Sequence, residues 1–247
     1  MNFKTLGIIP ARIGSSEVKK KNIRLLKGKP LIYYTINAAI NSKLDRVIVS
    51  TDSIEIANIA RTLGAEVPFL RPKFLSGNTS KAIDVVNHTL NWLKIENNWV
   101  PELVGYLQPT SPMRTKIHIN KAISMIGDKY DSVLSVTKVK EHPFFMFKKN
   151  GDNIEEFIAD IKKPERRQEL PNLYYSNPLI MFSRNTYIQK IIRDRGIIIN
   201  YKNFNPLYIN EYEAVDINTE QDFSFAQSIM QSSTILDDKS QMKFATG

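Results

Sequence analysis

Leu6-Gly7-Ile8-Ile9-Pro10, running into Ala11-Arg12-Ile13-Gly14-Ser15-Ser16 and then Lys19-Lys20-Lys21-Asn22, is the stretch that decides the fold. The first part is a short apolar run stopped by proline, which reads as a buried strand. The second part has glycine, serine and lysine with no helical period, and reads as a loop. A Gly/Ser turn leaves backbone N–H groups free to face an anion. Arg12 adds a planar fork suited to phosphate, and the lysines add point charge. A solvated basic loop is the plainer alternative. The loop lacks the Gly-Lys-Ser/Thr ending of a Walker A motif and is not a dinucleotide fingerprint.

The same rhythm continues outward from this loop. Pro30 opens a helix with Leu31, Tyr34, Ala38 and Ile40 near helical spacing. Arg46 to Ser50 is a β-branched strand, and Thr51-Asp52-Ser53 offers N-caps for a helix over Ile54 to Leu63 that ends at Gly64. Val67 to Leu70 reads as a short strand, and Ala82 to Leu93 as a helix capped by Ser80. Leu103 to Leu107 and Ser132 to Val136 are further buried strands, with a helix from Thr115 to near Gly127 between them. Strands alternating with helices predict an α/β domain, a mostly parallel sheet with helices on both faces. Ligands of such sheets bind at the carboxyl ends of the strands. The unusual loops lie there: Pro10 to Asn22, Thr51-Asp52, and Gln108 to Arg114.

From about 138 to 171 the pattern breaks into a charged stretch with aromatic spots, an excursion that suits a two-stranded arm. Leu179 to Phe182 resumes strand character, Thr186 to Arg195 is helical, and a last helix runs from Glu220 to about Met230. Residues 1–231 read as one domain and 232–247 as a polar, disordered tail. Of the 247 residues, 42% are hydrophobic, enough for a core, and none is cysteine. Disulfides, thiolate metal sites and thiol nucleophiles are excluded. No stretch is long and apolar enough for a membrane span or signal peptide, which predicts a soluble, cytoplasmic protein with no membrane partner. The net charge of +9 is scattered except at Lys19-Lys20-Lys21. That pattern favours a compact phosphate site over a nucleic-acid face, so no nucleic acid is expected.

Two further segments carry chemistry. In Gln108-Pro109-Thr110-Ser111-Pro112-Met113-Arg114, two prolines fix a loop directly after a buried strand. Gln108 brings a donor and an acceptor to the strand end, suited to a sugar hydroxyl or a base. Ser111 and Thr110 are equally suited to capping the next helix. In Val215-Asp216-Ile217-Asn218-Thr219, strand spacing puts Asp216 and Asn218 on one side, where two oxygens suit Mg²⁺ beside a triphosphate. Asn218 or Thr219 is as well suited to capping the last helix. His88, His118 and His142 show no pairing pattern.

Taken in order, these pieces resemble one family. Ile9-Pro10-Ala11-Arg12-Ile13-Gly14-Ser15, Lys21-Asn22, Val49-Ser50-Thr51-Asp52, Leu70-Arg71-Pro72, Leu107 to Pro112, Arg167-Gln168-Glu169-Leu170-Pro171 and Asp216 to Thr219 look like the cytidylyltransferases that make CMP-activated sialic acids and related 2-keto-3-deoxy sugar acids. The resemblance runs from about residue 5 to 230. It implies a Rossmann-like nucleotidyltransferase fold whose 138–171 excursion is a dimerisation arm reaching into the partner's site. It implies CTP and an acidic sugar as substrates, Mg²⁺ as cofactor and a homodimer. Arg12, Ser15 and Lys21 would hold the triphosphate, with Ala11, Asn22 and Arg71 around the nucleotide. Gln108, Arg167, Tyr175 and Asn177 would face the sugar acid. Asp216 and Asn218 would hold the metal, and Arg12, Lys21 and Asp216 would carry the catalysis.

The chain departs from the family pattern at named places. The family loop continues Ser-Lys-Gly where this chain has Ser15-Ser16-Glu17. A second aspartate is replaced by Asn218, and an Arg-Pro-Asn-Gly stretch of sialic acid enzymes is replaced by Tyr175-Ser176-Asn177-Pro178. The last change points away from plain N-acetylneuraminate. The alternative reading of Ser16, Glu17 and Asn218 is a catalytically weakened member that binds nucleotide or acts as a scaffold.

Overall fold

The computed structural model describes residues 3–14, 17–77, 79–159, 164 and 166–231. In chain order the elements are β1 Thr5–Pro10, the short pair β2 Leu25–Leu26 and β3 Lys29–Pro30, α1 Leu31–Ile40, β4 Arg46–Ser50, α2 Ile54–Thr62, α3 Ala82–Asn97, β5 Leu103–Tyr106, α4 Lys116–Met125 and β6 Ser132–Lys138. The hairpin β7 Phe147–Asn150 and β8 Asn153–Glu156 follows. Then come β9 Tyr174–Arg184, α5 Asn185–Ile191, β10 Phe204–Tyr208 and a last helix, α6, over 220–231.

Six strands make the main sheet in the order β10-β6-β9-β5-β1-β4. β1 pairs in parallel with β4 and β5, and β10 with β6, while β9 runs antiparallel between β5 and β6. The sheet is thus mostly parallel, as expected. Alternation along the strands fills both faces. Ile9, Val47 and Val49 pack with Ile36, Ile56 and Ala122 of α1, α2 and α4. Leu6, Ile8 and Ile48 pack on the other face with Val86, Leu90 and Ile188 of α3 and α5. At the centre Gly105 lies opposite Phe182, and a Cβ on it would sit 2.5 Å from the Phe182 ring, so only glycine lets this aromatic cross the sheet.

Several boundaries moved from the sequence reading. Val67 to Leu70 is not a strand: Glu66 and Leu70 make only isolated bridges to Ile48 and Thr51. α3 runs on to Asn97, because it closes on Asn98 in a left-handed conformation that lets Trp99 N–H reach Leu93 O at 3.1 Å. β9 begins at Tyr174, five residues before its apolar run, because its first residues pair with Thr137 and Lys138 across a register shift. β10, broken by Pro206, carries too weak an apolar pattern to be read from sequence.

β2 and β3 are joined by Lys27-Gly28, both at positive φ, which gives the tight two-residue turn that suits a hairpin. The hairpin packs on α6 through Leu26, Val215, Ile217, Phe223 and Ala226. Arg24 reinforces this, its Nη1 reaching Glu220 Oε1 at 2.5 Å and its guanidinium lying 4.3 Å from the centre of the Phe223 ring. The two chain ends of the fold are thereby tied at one edge, which brings residues 215–218 beside the loop after β1.

Candidate functional site

A cleft of about 460 Å³ opens at the carboxyl ends of β1 and β5. Here the chain order reverses about β1, so crossovers run to opposite sides and leave a crevice. Pro10, Arg12, Lys21 and Asn22 line it from the first loop, Arg71 and Leu75 from one side, Gln108 and Thr110 from the loop after β5, and Asn218 from the far wall.

The first loop is held by long-range hydrogen bonds. Ala11 N–H donates to Ser50 O at 3.0 Å and Ile13 N–H to Asp52 Oδ1 at 3.0 Å. Asn22, buried, donates its Nδ2 to Arg12 O at 2.8 Å. Asp52 therefore serves as a brace for the loop, while Ser53 caps α2 by accepting from Ile56 N–H at 3.3 Å. Lys21 donates to Ile217 O at 2.8 Å, which joins the loop to the 215–218 wall. Burial pulls the Lys21 ammonium below its ordinary value, with the carboxylates of Asp216 and Glu17 acting the other way. Glu17 also lines the cleft, so an acid does stand in the cationic loop. Ser15 and Ser16 lie outside the described residues.

Arg71 is 6% exposed, and its Nε and Nη2 have no hydrogen-bond partner. Its backbone N–H is fixed to Thr51 O at 2.7 Å. Burial lowers the proton affinity of its guanidinium, opposed by Tyr106 and Asp52. A buried cation with unfilled donors is costly to the folded chain, and it faces the cleft. Thr110 Oγ1, also on the cleft, is likewise buried without a partner.

Asn218 stands on the far wall of the cleft, its Nδ2 2.8 Å from Asp216 Oδ2; Asp216 lines the adjoining hollow rather than the cleft, and its Oδ1 is buried with no partner. The two side chains share one side, as the sequence spacing suggested. Helix capping falls to other residues: Asp222 N–H donates to Thr219 Oγ1 at 3.2 Å, and Asp222 Oδ2 accepts from Thr219 N–H at 2.8 Å and Asn218 N–H at 3.0 Å. The Asn218 side chain is therefore not the cap. An orphaned carboxylate oxygen beside an amide suits a hard divalent cation. Among the described residues no group of three or more His, Asp or Glu could cage a metal. An ion here would draw its other ligands from phosphate and water, as Mg²⁺ commonly does.

The remaining expected residues scatter. Gln108 lines the cleft, its Nε2 3.8 Å from Met181 Sδ. Asn177, 5% exposed, is not in the cleft lining: Ser135 Oγ donates to its Oδ1 at 2.6 Å, Leu179 N–H donates to the same oxygen at 3.2 Å, and its Nδ2 donates to Thr137 Oγ1 at 3.1 Å. Its amide fastens the irregular start of β9 instead. Tyr175 is 47% exposed and lines a separate hollow with Asp216, Tyr212 and Phe225. Arg167 opens a 3₁₀ turn, Arg167–Glu169. Sequence reading missed Asp52 as a brace, and it missed Arg114. The Arg114 side chain is buried and bonds to Leu179, Pro178 and Gln108 carbonyls. Position alone, two residues after Pro112, gives no sign of that burial.

Fold and cleft together define an α/β nucleotidyltransferase. The chain belongs to the cytidylyltransferase family, whose profile matches residues 6–240. It is 33% identical over 236 residues to a CMP-N,N'-diacetyllegionaminic acid synthase of Legionella pneumophila, covering 93% of this chain and 97% of that one. An N-acylneuraminate cytidylyltransferase of Escherichia coli is 32% identical over 94% of this chain, which spans only 53% of that longer protein. Among solved structures, a CMP:2-keto-3-deoxy-manno-octonic acid synthetase complexed with CTP superposes with a TM-score of 0.66 at 16% identity, over 93% of this chain and 99% of that one. Among the described residues no helix is long and apolar enough to cross a membrane.

Proposed function

We propose that this protein uses CTP to activate an acidic 2-keto-3-deoxy sugar of the sialic acid type, giving the CMP-sugar and pyrophosphate. The observation that carries this reading is the cleft at the strand ends where Arg71, buried and short of partners, faces the same space as Arg12, Lys21 and Gln108. Such a cluster of positive donors fits a polyphosphate and its base. Arg12, Ser15 and Lys21 hold the triphosphate; Ala11, Asn22 and Arg71 shape the nucleoside end. Gln108 orients the sugar acid. Its anomeric hydroxyl gives up its proton as its oxygen bonds to the α-phosphorus, and the bond to pyrophosphate breaks. No covalent enzyme intermediate is needed. Alignment and charge neutralisation supply the rate. Mg²⁺, held by Asp216 and Asn218, would neutralise phosphate charge.

The homodimer belongs to the same proposal. The β7–β8 hairpin bears Phe147, Ile154 and Phe157, which are 60%, 72% and 61% exposed. Exposed apolar side chains on such an arm, interleaved with charged ones, suit a partner surface. A second copy seated there would bring Arg167 and Tyr175 toward a sugar site. We assign the reaction to the cytoplasm, where the CTP pool lies. The test is the Arg12→Ala variant: CTP-dependent pyrophosphate release is abolished while the dimer, measured by light scattering, survives. Full activity in that variant would remove Arg12 from the triphosphate site.

A further inference from the structure

Arg114 is 3% exposed, and among the described residues no carboxylate hydrogen-bonds to it; Asp216 acts on it only through space. Its Nε donates to Leu179 O at 2.6 Å, and its Nη2 to Pro178 O at 3.0 Å. Its Nη1 donates to Thr35 Oγ1 at 2.7 Å and to Gln108 O at 2.9 Å. Four bonds thus engage a fork with five N–H groups. A buried cation without an ion pair is costly, and an apolar side chain could fill the same space with less desolvation. What an apolar side chain cannot do is gather acceptors from three segments at fixed angles.

Those segments have something in common. Gln108 lines the cleft from the loop after β5. Pro178 and Leu179 lie in β9, the strand that also carries Tyr175 and Met181, and Met181 Sδ lies 3.8 Å from Gln108 Nε2. Thr35 belongs to α1 and is fully buried, so it anchors the set to the core. None of the four acceptors comes from the loop after β1 or from the segment around Arg71. We infer that Arg114 is a positioning residue for the sugar side of the cleft, fixing the main chain of Gln108 against β9 so that the Gln108 amide meets the bound sugar acid. The nucleotide side is held by a separate set of bonds, through Asp52 and Asn22.

This inference rests on the proposed reaction. Its test compares wild type, Arg114→Lys and Thr35→Val. CTP affinity is measured by calorimetry. Steady-state kinetics are measured at saturating CTP with whichever of N-acetylneuraminate, N,N'-diacetyllegionaminate and pseudaminate the wild type turns over. Lysine keeps the charge but loses the fork. Misplacing a reacting group by about 1 Å costs roughly 10²-fold, and that is the expected fall in kcat/KM for the acid in Arg114→Lys. Thr35→Val should fall less, in the same direction. In both variants the CTP Kd should stay within about twofold of wild type, since loss confined to one substrate is what positioning predicts. Unchanged kcat/KM in either folded variant would overturn the proposal. So would a CTP Kd that weakens in step with kcat/KM, because that marks a residue of the whole fold. If Arg114→Lys does not fold, Thr35→Val decides on the same terms. Silence of the wild type with all three acids would instead overturn the reaction, and this proposal with it.

Discussion

The two halves of the cleft are built differently. On the half we assign to the nucleotide the backbone is braced by Asp52 and Asn22, and Arg71 Nε and Nη2 are left with unfilled bonds; Thr110 Oγ1, in the loop that carries Gln108, and Asp216 Oδ1, in the adjoining hollow, are unfilled too. Behind Gln108, on the half we assign to the sugar, the polar side chains outside the cleft lining bond to the fold itself, as Asn177 and Arg114 do, and Tyr175 and the hairpin aromatics stand exposed. The first half is complete but for its ligand. The second is complete only as a scaffold, which is why we assign part of its sugar contacts to a second copy. Buried polar groups without partners mark the place where a ligand substitutes for water or protein.

Arg71→Met should show this contrast most strongly. Removing a buried, partly unbonded cation relieves the apo fold, with a gain of about 1–4 kcal/mol at most, while CTP affinity falls by roughly 10²–10³-fold. Thermal unfolding and calorimetry on the same samples check both halves of that statement. A variant that loses stability and keeps CTP would erase the distinction. Asp216→Asn should come next: kcat falls by roughly 10²-fold and the Mg²⁺ concentration for half-maximal rate rises, read from a metal titration of pyrophosphate release.

Asn177→Ala tests the other half. It takes the side-chain acceptor from Leu179 N–H and one partner each from Ser135 Oγ, which keeps Asn177 O and Ile180 O, and Thr137 Oγ1, which keeps Ile209 O. The expected loss is about 1–3 kcal/mol of stability with CTP affinity unchanged, measured by denaturant unfolding and calorimetry. The smallest effect concerns Asp222. Burial pushes its carboxyl up, but the N–H groups of Thr219 and Asn218 outweigh that and hold it below the usual aspartate range. A depressed folded value contributes stability above the unfolded value near about 3.9, lost as pH falls through the folded one. Thermal unfolding between about pH 2 and 6 should show a shallower acid loss for Asp222→Asn than for wild type.

This contrast also explains what was legible in sequence. The nucleotide half follows short local rules: an apolar strand, a Gly/Ser turn, a pair of prolines, an Asp-x-Asn spacing. Each announces itself within a few residues, so Arg12, Lys21 and Gln108 stood out from local pattern alone, while Asn22 and Arg71 joined them only through the family resemblance. Asp216 and Asn218 shared a side for the same reason. The half we assign to the sugar depends on a register shift in β9 and, in the dimer we propose, on a hairpin seated against a second copy. No local pattern tells a solvent-facing Asn177 from one clamped between Ser135 and Thr137, forty residues away. The burial of Arg114 is likewise set by acceptors 64, 65 and 79 positions distant.

Pyrophosphate release, measured with Mg²⁺ and each of the four nucleoside triphosphates against eight- and nine-carbon 2-keto-3-deoxy acids, tests the central claim most directly. Release with CTP and one acid, absent with ATP, GTP and UTP, is the predicted result and names the sugar. Silence across a panel that a control enzyme turns over, with CTP still bound, would contradict it and leave a nucleotide-binding protein in place of a synthetase.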